Sequence, residues 1–210
     1  MNFLTFLQYN GIRVVDLTLG HIELSLYAVG IALVIGMPLG ILCHSVRALA
    51  NIILSIISII YTVPTLALFG IMIPLLGIGI VPALVAIVLY SLLPVVQNTA
   101  TGLAAVPADV REAATGIGMG PGTRLLRVEL PMAFPVILAG IRIAVVNAIG
   151  MVTLASLIGA GGLGDLIFRG ISTVSWPFVI FGSLPVLALA LVADLGLKNI
   201  ERRLTADPTL

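Results

Sequence analysis

Five stretches of roughly twenty apolar residues dominate this chain, near 24–43, 49–73, 78–100, 133–155 and 178–197. A helix of about that length crosses the hydrocarbon core of a bilayer. Lipid offers no hydrogen-bond partner to an open strand edge, so each stretch is expected to be helical. The predicted fold is all-α: a polytopic transmembrane bundle of about five spans. Composition agrees. Of 210 residues, 60% are hydrophobic and 9% charged, where a soluble domain carries about 25% charged residues. Membrane lipid is the expected solvent.

Several function classes recede at once. A net charge of +1 gives no reason to expect a nucleic-acid partner. The single cysteine, Cys43, excludes an internal disulfide and a multi-cysteine metal site. It reads as a small apolar residue. His21 and His44 fall near span ends and lack a second ligand at useful spacing, so both read as interfacial and no metal is expected. An intramembrane enzyme needs a nucleophile and base, or facing carboxylates. No such set stands out, and no catalytic residue is assigned. The N-terminus, MNFLTFLQYNGIR, lacks the features of a cleavable signal, so the first span is expected to remain.

Glycine and proline recur inside the spans: Gly36, Pro38, Gly40, Pro64, Pro82 and Pro94. Neighbouring helices tolerate such kinks in a membrane bundle. Gly36 and Gly40 form a GxxxG, which reads as close helix packing. Basic residues at span ends set orientation. With five crossings, Arg47, Arg111, Arg124, Arg127, Lys198, Arg202 and Arg203 fall on one side, and Arg13 and Arg169 on the other. The expected topology puts the N-terminus outside and the C-terminus in the cytoplasm.

One cytoplasmic connection, 101–132, is long and holds the densest charge. It reads as helix, turn, helix. Asp109 and Glu112 are spaced as a capping box. Val110, Ala113, Ala114 and Ile117 give the first helix an apolar face. The run Gly116-Ile117-Gly118-Met119-Gly120 ends it, and Pro121 suits the first turn of a second helix. Leu125, Leu126, Val128 and Leu130 line that helix, and Pro131 is expected to close it. Physical pattern alone allows two uses: docking into a partner's groove, or lying on anionic lipid.

The spelling resembles one known motif: Glu112-Ala113-Ala114, three residues, Gly118, nine residues, Val128, one residue, Leu130-Pro131. This is similar to the EAA loop of binding-protein-dependent ABC importer permeases, with Val128 where the family has Ile or a close relative. Thr62 to Leu68 resembles the family's kinked helix near the pathway, and Gly159 to Asp165 its glycine-rich outer connection. The resemblance covers roughly residues 19–198, taken as one transmembrane domain. Two branches fit the length, methionine permeases and quaternary-amine permeases. The stretches Ile73 to Gly79, Leu89 to Pro94 and Ile167 to Ile171 look closer to the second.

The resemblance implies a multi-pass permease of the bacterial inner membrane. Its partners would be two ATPase subunits, an extracytoplasmic substrate-binding protein, and a second permease chain, identical or paralogous. The implied ATPase-coupling residues are Glu112, Ala113, Ala114, Gly118, Arg124, Arg127, Leu130 and Pro131. The implied solutes are glycine betaine, choline and carnitine, with methionine as the alternative. Candidates to line the pathway are Tyr61, Pro64, Tyr90, Asn98 and Asn147. No cofactor is expected on this chain. A P-loop needs lysine followed by Ser or Thr, and the only lysine, Lys198, precedes Asn199. ATP and Mg are then used by the partner ATPase.

Overall fold

The computed structural model describes residues 3–206, all of whose regular structure is helical. Helix α1 spans Phe3–Ser45, α2 Arg47–Thr62, α3 Thr65–Leu76, α4 Ile80–Ala104, α5 Ala108–Gly116 and α6 Pro121–Arg124. A π-helical turn, Leu125–Glu129, leads into α7, Leu130–Ala155. A 3-10 turn, Ser156–Ile158, precedes α8, Gly164–Ser172, and α9, Trp176–Ala206.

Helix α4 is the centre of the bundle, packed between α1, α7 and the α2–α3 pair. Lipid tails are as apolar as the side chains, so contact between spans depends on close fit rather than on exclusion of water. Glycines provide that fit. A Cβ on Gly36 would lie 2.8 Å from Val95 Cγ1, and one on Gly40 2.5 Å from Thr99 Cβ. The GxxxG is therefore the seat of α4 on α1. On the other side of α4, a Cβ on Gly140 would lie 2.6 Å from the Pro94 carbonyl. Small residues Ala28, Ala32, Ala83, Ala86, Ala148 and Ala155 fill the same core.

The second apolar stretch is not one straight helix. α2 and α3 meet at 99°. The cause is local: a residue before proline is pushed out of the helical region, and Val63 is extended (φ −67°, ψ 128°) ahead of Pro64. The bent pair still crosses the bundle. It starts beside Ser45, the end of α1 that holds His44 near Glu129. It finishes at Gly79, whose N–H donates to the Ile158 carbonyl at the opposite end (2.8 Å). With α1, α4, α7 and α9, the chain passes five times between the two ends. The long 105–120 connection and the C-terminal end of α9 share one end, here the coupling end. The start of α1 lies at the other.

Two sequence expectations are corrected at α1. The helix starts at Phe3 rather than near residue 24, and 43 residues at about 1.5 Å each make it roughly twice the bilayer core. Its early turns are tied down by Phe6, which stacks on Phe181 at 4.7 Å and meets Phe178 edge-on at 4.8 Å. His21 is not interfacial but fully buried. Its Nε2 donates to the Ile149 carbonyl at 2.9 Å, and its Nδ1 accepts the Leu163 N–H at 3.3 Å. Both ring nitrogens are satisfied, which makes burial tolerable. The histidine pins the glycine-rich 159–164 connection to α1.

Candidate functional site

Helix α5 projects at the coupling end. Its N-cap is Pro107 and no side chain caps it, so the expected Asp109–Glu112 capping box does not form. Asp109 instead sits in the first turn, where a carboxylate still favours the positive end of the helix dipole. The cap residue is two earlier than expected because buried Val106 locks the chain against Leu103, Ala133 and Ile137 and so sets where the helix starts. The expected apolar face is split. Ala114 is buried and Val110 half-buried, while Glu112, Ala113 and Ile117 stand in the open.

The end of α5 explains Gly118. The Gly118 N–H bonds Thr115 O at 2.9 Å and the Met119 N–H bonds Ala114 O at 3.1 Å, the paired bonds of a Schellman motif. That motif needs a left-handed residue between them, and Gly118 has φ +86°. A Cβ there would touch nothing within 4 Å. The demand for glycine inside this chain is therefore backbone conformation, on an exposed residue with open space around it.

The second loop helix does not close at Pro131. From Pro121 the helical path runs on into α7 without a break. Proline in a helix clashes with the carbonyl four residues back. The π turn relieves that clash by displacing the ladder: the Leu130 N–H bonds Leu125 O, five residues back. Leu125 and Leu130 pack on the small core of Leu103, Val106, Ala133 and Ile137, whereas Leu126 is exposed. Pro131 and Arg127 are exposed too.

The same π turn builds a polar strut that the sequence reading missed. Glu129 is buried, and its Oε1 accepts from Arg124 Nε at 2.6 Å. Arg124 Nη1 donates to Thr115 Oγ1 of α5 at 3.0 Å. Glu129 Oε2 lies 3.8 Å from His44 Nε2 on α1. Helix α5, the π turn and the end of α1 are thus joined by one chain of charged and polar groups. Arg124 is already committed to Glu129, while Arg127 has no ion pair among the described residues. The available signal was an acid in the apolar run Leu-Arg-Val-Glu-Leu, five residues from Arg124.

Further into the bundle, three of the five pathway candidates come together. Tyr61 and Tyr90 have ring centroids 5.3 Å apart, and Asn147 Nδ2 donates to the Tyr61 hydroxyl at 3.3 Å. Pro64 stands at the α2–α3 break, just past Tyr61. Asn98 is elsewhere: its amide turns back to the Pro94 carbonyl at 2.8 Å, and its Cβ packs on Gly140. Arg142 lies 3.7 Å from Asp194 and 3.8 Å from Glu201 and so ties α7 to α9. Among the described residues no three His, Cys, Asp or Glu side chains gather to hold a metal.

This geometry agrees with comparison to known proteins. Residues 32–206 match the family described as binding-protein-dependent transport system inner membrane component. The choline transport system permease protein OpuBB of Bacillus subtilis (strain 168) is 46% identical over 200 residues, covering 95% of this chain and 92% of that one. The osmoprotectant import permease protein OsmW of Salmonella typhimurium (strain LT2) is 45% identical over 210 residues, covering 98% of each. In structure, the chain is similar to the MetNI methionine ABC transporter in an inward-facing conformation, with a TM-score of 0.82 at 20% identity, over 91% of this chain and 95% of that one. At that identity the likeness speaks for the fold alone. The chain belongs to the binding-protein-dependent transport system inner membrane component family, and is the non-catalytic permease subunit of an ATP-driven importer.

Proposed function

We propose that this permease carries quaternary-amine osmoprotectants, of the glycine betaine, choline and carnitine class, inward across the membrane. One observation carries the substrate class. Relatives covering nearly the whole chain at 46%, 45% and 41% identity are named for choline, for osmoprotectants, and for glycine betaine, carnitine and choline. The transport unit resides in residues 19–198. The coupling end faces the cytoplasm, with the N-terminus outside, as the crowding of arginines at that end supports.

Helix α5 docks into ATPase subunits, offering exposed Glu112 and Ala113, with Ala114 beneath and Gly118 closing the helix. Arg124 and Leu130 hold that helix to the bundle, and exposed Arg127 and Pro131 are free to meet a partner. ATP and Mg act in the ATPase, a separate binding protein delivers solute, and a second permease chain completes the pathway. ATP binding biases the permease between two access states, and α5 passes that bias on. Tyr61, Tyr90, Asn147, Pro64 and Asn98 line or shape the pathway. The tyrosine faces suit a quaternary ammonium.

The test is uptake by the reconstituted permease–ATPase complex with its binding protein. Labelled glycine betaine, choline and carnitine are expected to enter only with ATP, and methionine is not. Gly118→Trp should abolish uptake while insertion is kept. Gly118→Asn, which tolerates positive φ, should keep most of it. Uptake of methionine alone would refute the substrate class. Normal uptake with Gly118→Trp would refute the coupling role.

A further inference from the structure

A cavity of about 830 Å³ opens at the coupling end, on the bundle side of α5. That volume is within the range of small-molecule sites, roughly 300–1,000 Å³. Its wall draws on the end of α1, the start of α2, the last turns of α4, α5, and the helix that begins at Pro121. The wall is strongly one-signed. Arg47, Arg111 and Arg124 converge on it together with His44, and Glu129 is its one carboxylate. Glu129 is occupied by Arg124 at 2.6 Å. Arg47 and Arg111 then have no carboxylate partner among the described residues.

Arg47 is exposed and Arg111 half-buried, and unpaired cations that share a cavity repel each other. An anion between them removes that repulsion and accepts several charge-assisted hydrogen bonds. Helix α2 adds to the same field. It begins at Arg47 with no side-chain cap on Val46, so the positive end of its dipole lies at the cavity wall. The level is also specific. Cys43, Ser45, Ala100 and Ala104 belong to the last turns of spanning helices, where lipid phosphates lie. The exposed Glu112 and Ala113 of α5 are not part of this wall. Arg111 and Arg124 also line a neighbouring pocket with Glu112, so the cavity adjoins the face offered for docking without including Glu112 or Ala113 in its wall.

We propose that this cavity is an anion site for a phosphate group, supplied by an acidic phospholipid headgroup or by free phosphate, with Arg47 and Arg111 as its principal ligands. Guanidinium groups suit phosphate because their paired N–H donors match two oxygens at once.

The full chain is extracted from vesicles of equal parts phosphatidylcholine and phosphatidylglycerol, and retained lipid is identified by native mass spectrometry. Phosphatidylglycerol should be enriched on the wild type. Arg47→Gln and Arg111→Gln should each cut that enrichment about tenfold, Arg47→Lys should restore part of it, and Lys198→Gln should not change it. In a second arm, inorganic phosphate is added to the chain in neutral detergent at constant ionic strength while thermal unfolding is followed. If phosphate raises the midpoint of the wild type but not of Arg47→Gln, and no lipid is enriched, the site stands with a soluble anion as its ligand. Equal retention of both lipids with no phosphate effect would overturn the proposal. So would loss of both effects when the ATPase subunits are bound, since a partner's carboxylate would then fill the cavity.

Discussion

At the scale of single residues, Glu129 shows how a membrane protein can keep a charge out of water at its boundary. A buried carboxylate is costly unless it is paired and hydrogen-bonded, and this one has Arg124 at 2.6 Å and His44 at 3.8 Å. Removing the acid leaves the half-buried Arg124 with only the Thr115 hydroxyl as a partner. Glu129→Ala is expected to lower stability by about 3 kcal/mol, seen as a reduced thermal midpoint of the purified chain. Arg127→Ala, exposed and without an ion pair among the described residues, should leave the midpoint in place. Equal midpoints for the two variants would mean the strut contributes nothing to holding the loop. The EAA spelling and the backbone need at Gly118 were legible in the sequence, because glycine demand is local. Burial of Glu129 and His21 was not. Their partners sit five residues away on a π turn, or on helices far along the chain, and neither distance appears in an α-helical pattern.

At the scale of elements, apolar length located the spans well, since the bilayer imposes it. Continuity between elements was less legible. Pro64 and Pro131 carry the same covalent restriction, yet one ends a helix and the other sits inside one. Val63 could turn away into extended backbone at the first. At the second, Leu125 and Leu130 hold both flanks to one core, and the helix absorbs the proline as a π turn. A π turn is an α-helix with a widened register. Inserting one alanine after Leu126, which is exposed, adds a residue that the already widened turn has no room to absorb. The segment before it would then turn by about 100° against α7. Membrane insertion should survive, while ATP-driven uptake should fall to background. Retained uptake would mean the π register has no bearing on coupling.

For the whole molecule, the contacts fix which loops share an end. Gly79 bonds Ile158 at one end, and His44 meets Glu129 at the other. Single cysteines in a Cys43→Ser background check this directly. Ile78→Cys and Val174→Cys should react with an impermeant thiol reagent added outside intact cells. Gly120→Cys should react only in inverted vesicles. All three native positions are exposed, so access is decided by sidedness. Labelling of Ile78→Cys and Gly120→Cys from the same side would reduce the α2–α3 pair to a re-entrant loop. The unbroken helical path from Pro121 through α7 also has a mechanical meaning. Its 38 residues, at about 1.5 Å each, make a rod of roughly 57 Å. Tilting such a rod by about 5° moves its far tip by roughly 5 Å, the width of a whole turn of helix. Leverage of this kind turns a small rocking at the coupling end into a large displacement at the far end, and any joint placed along the rod would squander the stroke.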